Sequence, residues 1–161
     1  MTNTISVGLG EQVISRDPED ILVAYGLGSC LGIGMYDPRN RIAGLVHAVL
    51  PEQLNGDGAL SPKYVNTGIA SLVNELVKSG ADRYRLIIRI AGGANMLVTE
   101  SLSKTFDIGT RNIASALQTM VQMNMRLTSQ DVGGNVGRTV RLYVANGRMT
   151  VRTIGGQERD L

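Results

Sequence analysis

Short apolar runs separated by turn signals fill the first 50 residues, and they restrict the fold more than any other feature of the chain. Each run is the length of a strand and too short for an ordinary helix. The signals between them are Asp17-Pro18, the glycine-rich stretch that begins at Gly26, and Asp37-Pro38. The sequence therefore predicts consecutive strands at residues 5–8, 21–25, 31–36 and 42–50.

Two amphipathic segments follow. The first begins at Ser61-Pro62 and ends at Gly80, because proline suits the first turn of a helix and glycine the residue after its end. The second runs over residues 110–124. Apolar residues recur at three- and four-residue spacing in both segments, which predicts these inward positions: Val65, Ile69, Leu72, Val73, Leu76 and Val77 in the first, and Ile113, Leu117, Met120 and Val121 in the second.

The remaining strand signals complete the expected architecture. A buried strand is predicted at 85–91, and three closing strands at 126–131, 139–145 and 149–154, with Asn146-Gly147 as a hairpin turn between the last two. The length suits one domain. We therefore expect a single domain over residues 1–161 of the α/β class, with mixed β-sheet layers packed with two main helices.

Composition narrows the functional classes. The net charge is only +2, and aromatic residues make up 4% of the chain with no tryptophan, so a nucleic-acid-binding surface is disfavoured. No stretch is long and apolar enough to predict a membrane span. A single cysteine can form no internal disulfide. We expect a soluble cytoplasmic protein.

The only cysteine, Cys30, and the only histidine, His47, are the candidate chemical groups. Each alone is more typical of a structural residue, since a lone buried cysteine usually packs as a small apolar side chain. Their placement favours chemistry instead. Cys30 ends a glycine-rich turn, where backbone amides can face a bound carbonyl, and His47 lies on a strand predicted to be its neighbour.

Metal and nucleotide sites are disfavoured. One cysteine and one histidine are too few for a zinc site. The turn at Gly26 lacks the small last residue of a dinucleotide-binding motif, and the glycines from Gly133 to Gly137 lack the Lys-Ser/Thr pair of a phosphate-binding loop. We expect no metal and no cofactor.

Six blocks of sequence, in order, closely resemble the chemoreceptor glutamine deamidase family, CheD. They are Gly26-Leu27-Gly28-Ser29-Cys30, Val46-His47-Ala48-Val49-Leu50-Pro51, Pro62-Lys63-Tyr64, Ala91-Gly92-Gly93-Ala94-Asn95-Met96, Ile108-Gly109 with Arg111-Asn112, and Asp131-Val132-Gly133-Gly134-Asn135. The resemblance covers most of the chain.

The resemblance implies a fold and an activity. The fold is similar to the catalytic domain of the cytotoxic necrotizing factor toxins. The implied activity is a protein-glutamine deamidase, which converts glutamines of methyl-accepting chemotaxis receptors to glutamate and releases ammonia. The cytoplasmic helices of those receptors are the implied substrate, and a CheC-type phosphatase is an implied partner.

Mapped onto this sequence, the resemblance implies that Cys30 is the nucleophile and His47 the base. The family position six residues before the cysteine often holds a threonine that orients the histidine; here it is Ala24. We therefore expect the Ala24 backbone carbonyl, or another group, to orient the imidazole. The backbone amides of Ser29 and Cys30 are the expected oxyanion donors.

Two other functions fit the same sequence. The chain could be a regulatory module that binds a receptor or a CheC-type phosphatase with little or no catalysis, and the alanine at position 24 favours that alternative. A redox-sensing thiol at Cys30 is the other alternative; it would react without any dependence on His47.

Overall fold

The computed structural model describes residues 2–54, 58–96 and 107–161, which form ten strands, two α-helices and one 3-10 turn. The strands are β1 (Asn3–Ser6), β2 (Gln12–Ser15), β3 (Asp20–Leu27), β4 (Leu31–Asp37), β5 (Ile42–Ala48), β6 (Ile87–Gly92), β7 (Ser129–Val132), β8 (Arg138–Tyr143), β9 (Met149–Thr153) and β10 (Arg159–Asp160). The helices are α1 (Val65–Lys78) and α2 (Ile108–Gln122), and the 3-10 turn spans Arg83–Arg85.

The strands form two mixed sheets. The outer sheet has the order β1-β3-β8-β9-β10, and the central sheet has the order β2-β5-β4-β6-β7. One edge pair in each sheet is parallel, β1 with β3 and β6 with β7, and the other pairs are antiparallel. The predicted α/β class, with mixed sheet layers and two main helices, is confirmed.

The central sheet lies between the helices and the outer sheet because both of its faces are apolar. On β4, Leu31, Ile33 and Met35 pack with the helices in one buried cluster. The alternate positions face the outer sheet, where a Cβ atom at Gly34 would lie 2.7 Å from the sulfur of Met149. Side chains alternate between faces along a strand, so one strand contributes to both cores.

Two strands were not predicted. β2 (Gln12–Ser15) is half-buried at the edge of the central sheet, and β10 has only two exposed residues. Short edge strands need few apolar residues, so they leave little pattern to detect. The predicted Asn146-Gly147 turn does join β8 to β9, with Gly147 at φ 75°.

The helices depart from their predicted inward faces at three positions. Val77 on α1 is 46% exposed, and Leu117 and Val121 on α2 are 38% and 79% exposed, so these three predictions were wrong. Five of the six buried residues of α2 are instead small or polar, namely Gly109, Asn112, Ser115, Ala116 and Thr119, and the sixth is Met120.

The polar face of α2 has a physical cause. Part of this helix lies against loops and strand ends, which present main-chain carbonyl groups in place of apolar side chains. The Ser115 hydroxyl donates to the carbonyl of Pro51 at 2.6 Å, and the Asn112 amide donates to two further carbonyls. Hydrophobic periodicity cannot find such a face because its buried residues are polar.

None of the described helices is long and apolar enough to cross a membrane.

Candidate active site

Antiparallel pairing of β4 with β5 brings Cys30 and His47 to the same face of the central sheet. His47 is opposite Gly32 in the register, and Cys30 precedes Gly32 by two positions, so the two side chains are diagonal neighbours. Diagonal pairs of this kind have Cβ atoms about 7 Å apart. Both are buried between the two sheets, with 9% of Cys30 and 2% of His47 exposed.

The imidazole of His47 has one bound nitrogen and one without a partner. Nδ1 lies 3.0 Å from the carbonyl oxygen of Val7. A carbonyl can only accept, so Nδ1 carries the proton and the neutral ring keeps its lone pair on Nε2. Nε2 is buried and makes no hydrogen bond with any described residue, Cys30 included.

The segment that follows β1 holds Val7 against the histidine. The Val7 amide donates to the carbonyl of Val23 on β3 at 2.8 Å, and the His47 amide donates to the carbonyl of Glu11 at 3.0 Å. The sequence suggested the carbonyl of Ala24 as the orienting atom, but the oxygen bound to the ring is that of Val7. Ala24 is a fully buried residue of the core between the sheets.

Cys30 has an unpaired thiol in a largely apolar environment. Burial raises the pKa of the Cys30 thiol above its ordinary value, and the backbone amide of Cys30 itself, which donates to the sulfur, opposes part of that rise. The resting side chain is therefore a neutral thiol at neutral pH, which needs a base to become a nucleophile.

The turn before Cys30 is held by the segment that follows β6. Ala94 donates its amide to the carbonyl of Gly28 at 2.8 Å, and Gly93 donates to the carbonyl of Cys30 at 2.9 Å. This contact requires glycine at position 92, where φ is +116° and a Cβ atom would lie 2.1 Å from the Cys30 oxygen. Two of the sequence blocks therefore pack directly against each other.

The amides of Ser29 and Cys30 have no hydrogen bond to another residue among those described. The carbonyl of each preceding residue is bound: Gly28 to the Ala94 amide, and Ser29 to the side chain of Asn112 at 2.8 Å. The Ser29 amide can therefore donate to a substrate oxygen directly, and the Cys30 amide can do so in exchange for the contact with its own sulfur.

Asn112 contacts the turn that precedes Cys30, a contact that the sequence did not indicate. The Asn112 side chain is fully buried on α2. Its Nδ2 atom donates to the carbonyl of Ser29, just before β4, and at 3.0 Å to the carbonyl of Val49, just after β5. Asn95, from another block, donates instead to the Thr110 hydroxyl at 2.8 Å. Spacing and polarity gave no signal for Asn112, because its partners are main-chain atoms.

The described residues contain no group of three or more His, Cys, Asp or Glu side chains arranged to hold a metal ion. The arrangement places a thiol and an imidazole on one face of the central sheet, with main-chain amides next to the thiol, and such groups can support acyl transfer.

Comparison with known proteins identifies relatives along nearly the whole chain. A family model described as CheD chemotactic sensory transduction matches residues 49–153. A protein of Symbiobacterium thermophilum is 43% identical over 158 residues, 97% of this chain and 96% of the relative. One from Pyrococcus abyssi is 40% identical over 159 residues, 98% of this chain and 96% of the relative. Both carry the name "Probable chemoreceptor glutamine deamidase CheD".

One solved structure has a similar fold. The crystal structure of the Bacillus licheniformis hypothetical protein YfiH matches with a TM-score of 0.50 and 15% sequence identity over 74% of this chain. The match covers 49% of that protein, so the chain spans about half of its length. At this identity the match bears on the fold alone.

Proposed function

Because this chain belongs to the CheD family, we propose that it is a protein-glutamine deamidase that converts glutamines on the cytoplasmic helices of chemotaxis receptors to glutamate. The names of its relatives support this substrate class. The observation that carries the chemistry is the shared face of Cys30 and His47, with the Nε2 atom of His47 buried and without a partner.

The first half-reaction forms a thioester. His47 Nε2 takes the proton from the Cys30 thiol as the sulfur attacks the amide carbon of the substrate glutamine. The tetrahedral intermediate then expels its nitrogen, which takes a proton from the imidazolium and leaves as ammonia. Val7 supports both protonation states of the ring, because its carbonyl accepts from Nδ1 throughout.

The oxyanion of the tetrahedral intermediate faces the amides of Ser29 and Cys30. Neither donates to another residue in the described part of the chain, so both donors are available without breaking an existing bond between residues. Removing a single donor of this kind from an enzyme typically costs about 100- to 1000-fold in kcat.

The second half-reaction hydrolyses the thioester. His47 Nε2 removes a proton from water as the water oxygen attacks the acyl carbon, and the carbon–sulfur bond then breaks. The proton returns from the imidazolium to sulfur, which restores the thiol and leaves a glutamate side chain. No step requires a metal or a redox cofactor.

The raised pKa of the Cys30 thiol favours base catalysis over a preformed thiolate. Burial stabilises the neutral thiol, so the proton transfers during attack. The same feature argues against the redox-sensor alternative, because sensor thiols are exposed and have a lowered pKa.

The test is incubation with a receptor cytoplasmic fragment, followed by peptide mass spectrometry to distinguish glutamine from glutamate. We expect wild-type protein to convert specific glutamines, Cys30→Ala to lose all turnover, and His47→Ala to lose about 100- to 10,000-fold in rate. Wild-type protein that binds the fragment and leaves every glutamine intact would contradict the proposal and support the regulatory module.

A CheC-type phosphatase as partner stays a prediction of the family resemblance. The Cys30→Ala variant separates binding from catalysis, since the loss of one buried sulfur should leave the protein surface unchanged. We expect this variant to bind such a partner with the affinity of wild type in a pull-down with purified components.

A further inference from the structure

Asn112 connects the ends of the two strands that carry the proposed catalytic pair. Its side-chain nitrogen donates to the carbonyl of Ser29, one residue before the nucleophile, and to that of Val49, two residues after the base. The residue is fully buried on α2, an element that carries neither of them. One amide group therefore ties α2 to both halves of the site.

The geometry of the peptide bond makes the contact with Ser29 consequential. The Ser29 carbonyl and the Cys30 amide belong to the same planar trans peptide unit, in which C=O and N–H point in opposite directions. By holding the carbonyl on the side of α2, Asn112 also fixes the direction of the Cys30 N–H, which has no other residue as partner among those described.

The burial of Asn112 indicates a role beyond packing. Its Oδ1 atom is buried and has no hydrogen-bond partner among the described residues. An unsatisfied buried polar atom lowers stability. An apolar residue would avoid this cost, so what distinguishes asparagine here is the pair of N–H groups that it offers to the two carbonyls.

We infer that Asn112 is a positioning residue that holds the Ser29–Cys30 peptide unit so that the Cys30 amide faces the oxyanion of the reaction. This inference rests on the proposed deamidase function. The hydrogen bonds of Asn112 go to main-chain carbonyls and none goes to the Cys30 sulfur. The residue therefore acts through the orientation of the main-chain donor.

Two measurements on Asn112→Ala separate this role from a general effect on the fold. Deamidation develops an oxyanion, whereas alkylation of the Cys30 sulfur by iodoacetamide does not. We expect kcat for deamidation to fall about 10- to 100-fold with KM unchanged, and the pH profile of the alkylation rate to stay within about twofold of wild type.

The matched control is Ser115→Ala, which removes a buried donor to a main-chain carbonyl one turn along the same helix. We expect it to lower thermal stability by a similar amount and to leave kcat at the wild-type value. Asn112→Asp, of equal volume but without the N–H donors, should reproduce the loss of kcat without a cavity.

The outcomes are distinguishable. Unchanged kcat in folded Asn112→Ala overturns the inference, as does an equal loss of deamidation and alkylation, which would mean that the residue holds the thiol itself. Unfolding of both Asn112 variants assigns the residue to the folding core and also overturns it. Failure of the proposed function shows separately, as wild-type protein that is alkylated normally and deamidates nothing.

Discussion

Cys30 combines burial with the proposed role of nucleophile, two properties that usually exclude each other. Nine-tenths of the residue is removed from solvent, and burial raises the pKa of its thiol. Its proposed base is also buried, with one ring nitrogen bound to the Val7 carbonyl and the other without a partner. A reactive group in such a setting depends on its neighbour for deprotonation, because water cannot assist freely.

The pH dependence of thiol reactivity follows from the direction of this pKa shift. Because burial disfavours the charged form, the thiolate fraction should rise only at a pH above the value of about 8.5 for free cysteine. We expect the iodoacetamide rate constant of native protein to have a midpoint above that of the same cysteine in denatured protein. A native midpoint below 8.5 would indicate a preformed thiolate–imidazolium pair and contradict the base-catalysed first step.

The hairpin of β4 and β5, which carries the site at one end, is secured at the other by a buried carboxylate. Asp37 is fully buried and accepts from the backbone amides of Arg39, Asn40 and Asp82 and from the guanidinium of Arg85 at 3.0 Å. Burial alone would raise the pKa of Asp37, but the bonds from Arg85 and the three amides outweigh it and lower the pKa to about 2.

A lowered pKa in the folded state predicts acid sensitivity. The stabilisation from Asp37 is fully present above the unfolded pKa of about 3.9 and is lost as the pH falls through about 2. The shift corresponds to about 2 kcal/mol. We expect the free energy of unfolding, measured in urea, to fall by about that amount from this group between pH 5 and pH 2.

Asp37→Asn checks the assignment. At pH 7 it should lower the free energy of unfolding by about 2–3 kcal/mol, because it leaves Arg85 without its buried partner. It should also flatten the acid dependence. Glu75→Gln, at an exposed ion pair with Lys78, is the control and should change stability by less than about 0.5 kcal/mol. Equal effects of the two variants would contradict the role of Asp37.

At the scale of the whole molecule, glycines on β4 allow the two sheets to stack closely. A Cβ atom at Gly32 would lie 3.0 Å from Leu27 and 3.1 Å from Val140, and one at Gly34 would lie 2.7 Å from the sulfur of Met149. Side chains from the outer sheet occupy the space that these glycines leave.

Gly34→Ala should therefore destabilise the whole domain. We expect a loss of about 1–3 kcal/mol in the free energy of unfolding, which is typical of an overpacked core. Met149→Val shortens the side chain in contact, so the double variant should recover part of the loss in a double-mutant cycle. Strictly additive effects in urea titrations would show that the two positions do not compete for space.

The sequence predicted the elements that have their own apolar period and missed features that depend on the neighbours of an element. The apolar residues of β3, β4, β5 and α1 are enough to predict these elements. The placement of Cys30 and His47 on neighbouring strands was also predicted, because consecutive strands were expected to pair. The division of the strands between the two sheet layers was not predicted, since glycine at position 34 leaves no apolar pattern that marks the face of β4 toward the outer sheet. The face of α2 was partly wrong because its partners are carbonyl groups.

The bond between His47 and the carbonyl of Val7 affects how this protein responds to mutational screens. Every amino acid at position 7 supplies the same oxygen, so an alanine scan would leave the orienting group in place and report only the loss of the buried Val7 side chain. The same holds for comparisons of related sequences, in which one buried apolar side chain at position 7 can replace another while the carbonyl is retained. Of the Cys30 thiol, the His47 imidazole and the Val7 carbonyl, only the thiol and the imidazole are removed when a side chain is replaced.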